Sequence, residues 1–149
     1  MKKFILTPIF SLTMVLFVLT SCDKDGDNTP AKTKTELMTN GTWKFQSATA
    51  AGFDISSAPQ LACFIDNTIT FSSVTAGNIS EGAVICAPST AGNFTWGFAN
   101  GETEIQFSAP LIPGSSSTFT IVSLTETNLV LSQSVNLPPP TVVTVTFKH

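Results

Sequence analysis

The chain has 149 residues, with ten acids against seven cations and a formal charge of −3, room for one domain of ordinary size and no positive excess for nucleic acid. Hydrophobic residues make up 42% and charged residues 11%, which excludes disorder as a description of the whole. Every cation is a lysine, tyrosine is absent and the sole histidine is His149, so two-pronged arginine grips and most nucleophile, acid/base and metal constellations are excluded.

The first segment reads as targeting and is set aside from the fold. Lys2 and Lys3 give a positive start, and an apolar run extends from Phe4 to Leu19, interrupted by Pro8. A bilayer-spanning helix needs about 20 such residues, so the run is short for one. It ends in Leu19-Thr20-Ser21-Cys22, which resembles the lipobox of bacterial lipoprotein signals: an aliphatic residue, two small ones, then the cysteine whose sulfur takes diacylglycerol. The resemblance implies a signal peptide over 1–21 and an acylated Cys22 as the first mature residue, with the membrane as partner. The alternatives are an uncleaved anchor, or an ordinary signal in which Cys22 is incidental. Several acyl chains on one residue hold a membrane stably, where one chain is marginal.

Residues 22–35 read as a lipidated cysteine and a flexible acidic tether, from Asp23-Lys24-Asp25-Gly26-Asp27 to Thr35. The spacing Asp23, Asp25, Asp27 is not a calcium loop, because Gly26 precedes Asp27, no Glu stands at the twelfth position and no helices flank it. No metal or cofactor is expected. Loss of Lys2 and Lys3 leaves five lysines against ten acids. Acids directly behind a lipidated cysteine resemble the export signals that carry some Gram-negative lipoproteins to the cell surface, implying an outer-membrane, surface-exposed protein.

Residues 36–149 form a single domain without an internal repeat. A short helix over 35–38, closed by Asn40-Gly41, is the sole helical signal of the mature chain. Period-two patterning and β-branched or aromatic content predict strands over 43–49, 68–74, 83–87, 93–98, 103–108, 118–124, 128–135 and 141–147. Trp43 with Phe45, Ile69 with Phe71, and Phe94 with Trp96 and Phe98 each share a face, as do Ile105 with Phe107, Phe119 with Ile121, Leu129 with Leu131, and Val143 with Val145 and Phe147. Such stripes are packed core more often than cavity lining. Asn100-Gly101 and residues 125–128 are tight hairpin turns, and no linker is long enough for a parallel crossover. The fold class is therefore all-β: an eight-stranded antiparallel up-and-down β-barrel with a short N-terminal helix, since closure removes the exposed edges.

Gly41-Thr42-Trp43-Lys44-Phe45 after a short helix, Cys63-Phe64-Ile65-Asp66-Asn67-Thr68-Ile69-Thr70-Phe71, a second cysteine at Cys86, and Phe94-Thr95-Trp96 resemble the bacterial lipocalin-like lipoprotein domains. The resemblance covers roughly residues 37–147 and implies a small barrel on a lipid anchor, without one agreed substrate. Under it, with Cys22 spent on lipid, Cys63 and Cys86 remain as an even pair for an oxidising compartment. Their bridge closes a loop of about 24 residues and is expected to staple the second and third strands. A reactive or metal-binding thiol pair is the rival, but no histidine or further cysteine stands near.

Up-and-down strands send alternate loops to opposite ends. Loops 50–67, 88–92, 109–117 and 136–140 are long, proline-marked and carry Phe53, Leu61, Leu111, Ile112 and Leu137; loops 75–82, Asn100-Gly101 and 125–127 share the other end with the helix. The first end is the expected mouth, pointing away from the membrane. If the interior is hollow, a small apolar ligand meets Trp43, Phe53, Leu61, Phe71, Trp96, Leu111, Ile112 and Leu137. If Leu111, Ile112 and Leu137 instead fold down over a filled barrel, the protein is a lipid-anchored interaction or structural module using its exterior and loops. Eight strands permit either. No enzyme is expected: Glu102 and Glu104 face solvent, Asp54 and Asp66 are a thin carboxylate pair, and His149 reads as a frayed end.

Overall fold

A computed structural model describes residues 30–149 apart from 113, 137 and 138, so the signal segment, Cys22, most of the tether and Leu137 lie outside the described residues. Thr33 opens helix α1 (Lys34–Met38) with a reciprocal capping box: its hydroxyl accepts from the Glu36 N–H at 3.2 Å and its own N–H donates to Glu36 Oε2 at 2.7 Å. Gly41, at φ +120° where a side chain is strained, turns the chain into the first strand.

The strands are β1 (Thr42–Ala50), β2 (Phe53–Asp54), β3 (Thr68–Phe71), β4 (Ala76–Ser80), β5 (Gly92–Ala99), β6 (Glu104–Phe107), β7 (Thr118–Leu124), β8 (Asn128–Val135) and β9 (Thr141–Lys148). β1 pairs antiparallel with β3, each strand from β3 to β9 pairs antiparallel with the next, β2 is a two-residue spur on the end of β1, and β1 pairs with β9 from Lys44↔Lys148 to Ala50↔Val143. β1 and β3 to β9 thus close an eight-stranded up-and-down barrel, the fold class read from the sequence.

The aromatic and aliphatic stripes point inward. Trp43, Ile69, Phe71, Phe94, Trp96, Ile105, Phe107, Phe119, Leu129, Leu131, Val145 and Phe147 are all buried. Bulges between Phe45 and Ser47 in β1, and between Ile121 and Ser123 in β7, reset the alternation, so Ala48 and Leu124 turn in rather than their neighbours.

One strand is corrected. The strand expected over 83–87 is not in the sheet; β4 occupies residues 76–80, which read as a loop because Gly77 and Asn78 look like turn residues. Gly77 is instead there because the Phe94 ring lies against it: a Cβ at this position would come within 2.3 Å of Phe94 Cζ and 2.9 Å of the Thr70 carbonyl oxygen. The loops shift accordingly, to 72–75 at one end and 81–91 at the other.

The end carrying α1 is sealed. Met38 and Trp43 are both 0% exposed, and the Trp43 indole donates to the Met38 carbonyl at 2.9 Å. Lys34 Nζ donates to the Glu102 carbonyl, and Lys32 pairs with Glu126 at 2.9 Å, tying the helix region to the β5–β6 and β7–β8 turns. His149 is packed, contrary to the expected fraying: its ring centroid lies 3.8 Å from that of Trp43 and Nδ1 donates to the Thr42 carbonyl at 3.2 Å.

Candidate functional site

At the opposite end, loops 51–67, 81–91, 108–117 and 136–140 gather. The first loop is folded by short polar contacts. The Asp54 carboxylate accepts from the Ser56 N–H at 2.8 Å and its hydroxyl at 2.5 Å, and these bonds hold it below the usual carboxylate range. A 3-10 turn at Pro59–Leu61 then aims Leu61 and Phe64 into the barrel. Phe64 lands edge-on between Phe45, 5.7 Å away, and Phe147, 6.0 Å away.

The lumen below is filled. Phe71 is a hub, with ring centroids of Phe94 at 5.6 Å, Trp96 at 5.1 Å and Phe107 at 6.2 Å, and Phe107 continues to Phe119 at 6.0 Å. Most of these contacts are edge-to-face, the favourable geometry for packed aromatic rings. The Trp96 indole donates to the carbonyls of Ser73 at 3.0 Å and Ala76 at 3.2 Å, so its polar edge is spent on the wall. Leu111 and Ile112, 1% and 6% exposed, close the top as plugs.

A cleft survives at the rim. About 290 Å³ of space lies between residues 88–93 and residues 107, 109–111 and 114, with Ile79, Phe94, Phe107 and Leu111 as its apolar surface. The wall made by residues 88–92 is held by Glu81, whose carboxylate accepts from the Thr90 N–H at 2.7 Å, the Thr90 hydroxyl at 3.1 Å and the Ser89 hydroxyl at 2.9 Å. The Thr90 backbone bond is the chief cause that lowers the Glu81 carboxyl from its ordinary value of 4.5.

The two loops behind this wall are cross-linked. Cys63 and Cys86 form a disulfide with Cα atoms 5.0 Å apart, but it joins loop 51–67 to loop 81–91 rather than stapling two strands, because the residues around Cys86 are not in the sheet. The Asp66 carboxylate adds a second clamp, accepting from the N–H groups of Ala83 at 2.6 Å and Val84 at 3.2 Å. Asp54 and Asp66 are thus each engaged in holding loop backbone. Among the described residues, no group of three or more His, Cys, Asp or Glu is placed to hold a metal.

The sequence-predicted ligand contacts therefore divide. Trp43, Phe71 and Trp96 are core packing, Leu61 and Ile112 are plugs, and Phe53 is 75% exposed on the β2 spur, outside any lining. Leu111 reaches the cleft, and Leu137 lies outside the described residues. Sequence reasoning placed loop 88–92 at the mouth but missed Ile79, Phe94 and Phe107 as site residues. Phe94 and Phe107 were legible as inward-facing residues; Ile79 was hidden by the misplaced strand.

A sealed eight-stranded up-and-down barrel packed with aromatic side chains, with a small apolar cleft at its loop end, defines a closed antiparallel β-barrel protein. Residues 39–131 match the family model of the lipocalin-like domain. The chain belongs to that family. No curated protein matches it in a sequence search.

Proposed function

We propose that this chain is a non-catalytic, lipid-anchored protein of the Gram-negative outer membrane that takes a small apolar ligand at the rim of its barrel. The observation that carries the ligand reading is the cleft of about 290 Å³ floored by Ile79, Phe94, Phe107 and Leu111, at the low end of the range for small-molecule sites, roughly 300–1,000 Å³. Its apolar floor favours a hydrophobic body. The backbone of the 88–92 wall offers polar groups for one or two orienting contacts. The lipid anchor rests on Leu19-Thr20-Ser21-Cys22, and a surface location on the acids behind it. Entry of the chain through α1 at the sealed end supports a cleft directed away from the membrane.

Native mass spectrometry of the mature protein, purified without added detergent and followed by solvent extraction, tests the ligand reading. The expected result is a reproducible small adduct that disappears in Ala91→Trp, which fills the cleft from the wall. An adduct that survives Ala91→Trp contradicts the assignment.

A further inference from the structure

Residues 63–66 and 83–86 lie side by side, fastened at one end by the Cys63–Cys86 disulfide and at the other by Asp66 accepting from the N–H groups of Ala83 and Val84. Between these fastenings three large aliphatic side chains are turned outward: Ile65 is 48% exposed, Val84 51% and Ile85 71%. Single exposed aliphatics are ordinary on a protein surface. Three on one doubly fastened pair of segments are held in place beforehand, so covering them forfeits little conformational freedom. Gly82 fits the same arrangement, since a Cβ there would come within 2.4 Å of the Asp66 carboxyl carbon and 2.8 Å of the Asp66 carbonyl oxygen.

Charge around the patch is one-sided. The loop end carries Asp54, Asp66 and Glu81 and, among the described residues, no cation. The described lysines are all at the sealed end: Lys32 and Lys34 at α1, and Lys44 and Lys148 facing one another across β1 and β9. A second copy presenting the same face would bring two sets of carboxylates together, and an anionic lipid surface would meet the same repulsion. A basic partner meets attraction.

We infer that the face formed by Ile65, Val84 and Ile85 docks a cationic amphipathic protein segment, its apolar side on the patch and its basic side chains toward Asp54, Asp66 and Glu81. This surface adjoins the rim cleft through Glu81, which also holds the 88–92 wall, but Ile65, Val84 and Ile85 are not part of the cleft lining. The test titrates the full chain, as purified, with a fluorescent peptide of lysine and leucine at helical spacing, beside a glutamate-for-lysine counterpart. Val84→Ser combined with Ile85→Ser is the variant, with its melting temperature as the control for folding. The expected result is binding of the basic peptide that falls at least about tenfold in the double variant, weakens with added salt and is absent for the acidic peptide. Equal affinity of wild type and variant, no binding of the basic peptide, a preference for anionic over neutral vesicles that is lost in the variant, or self-association lost in the variant would each overturn it.

Discussion

Gly77 is where the barrel wall and its filling touch. With Phe94 Cζ only 2.3 Å from where a Cβ would sit, and the Thr70 carbonyl oxygen at 2.9 Å, Gly77→Ala must displace the ring and strain the strand. A loss of about 1–3 kcal/mol is expected from such overpacking, measured by urea denaturation. Gly97→Ala, whose Cβ would meet nothing within 4 Å, is expected to change stability by less than about 0.5 kcal/mol. Equal effects at the two glycines would contradict the packing described. Glu81 makes a pH-dependent prediction. Its carboxyl is lowered from 4.5 by the Thr90 N–H bond, so the ionised form is favoured in the folded protein. Its contribution is complete above pH 4.5 and is lost as the pH falls through the lower folded value. Protection factors of the Thr90 amide against hydrogen exchange should therefore hold between pH 7 and 5 and drop in more acid solution. Glu81→Gln should flatten that dependence, and identical pH profiles for wild type and Glu81→Gln would count against the bond.

Elements with β-branched or aromatic alternation, such as Phe94-Thr95-Trp96 in β5 or Val143-Thr144-Val145 in β9, were legible because an inward stripe needs nothing beyond period two. β4 was not. Its Ala76-Gly77-Asn78 carries the look of a turn, and the reason for Gly77 lies in Phe94, on the neighbouring strand. The apolar run Ala83-Val84-Ile85 carried the look of a strand, but Asp66 and the disulfide hold its backbone away from the sheet. The bulges in β1 and β7 were equally invisible, because an extra residue shows only against the partner strand. The cysteine pairing was legible and its placement was not. As a loop-to-loop bridge with a sequence separation of 23, it constrains the unfolded chain by about 3.5 kcal/mol in the chain-entropy account. Cys63→Ser with Cys86→Ser is expected to lower the melting temperature by roughly 10 °C and to leave the strand signature of the far-ultraviolet spectrum in place. Collapse of that signature at room temperature would mean that the bridge holds the barrel itself.

Across the whole molecule, the sequence left open whether eight strands enclose a space or a packed core. The answer depends on how loops 51–67 and 108–117 fold: Phe64 turns inward between Phe45 and Phe147, and Leu111 and Ile112 join the same buried core as the rings around Phe71. That sealing moves the proposed ligand site from the lumen to the rim, where Leu111 belongs to both plug and cleft. The proposed lipid anchor is tested separately: Cys22→Ser is expected to shift the protein from the membrane to the soluble fraction, and a variant still held in the membrane fraction would contradict lipidation at Cys22. The most direct test of the rim site is mapping by heteronuclear NMR during titration with a small apolar fluorophore. Shift changes are predicted at Ile79, Phe94, Phe107, Leu111 and residues 88–92, with Trp43 and Phe147 unmoved. Changes centred instead on Trp43, Phe147 and Leu131 would place the ligand inside the barrel and contradict the filled lumen.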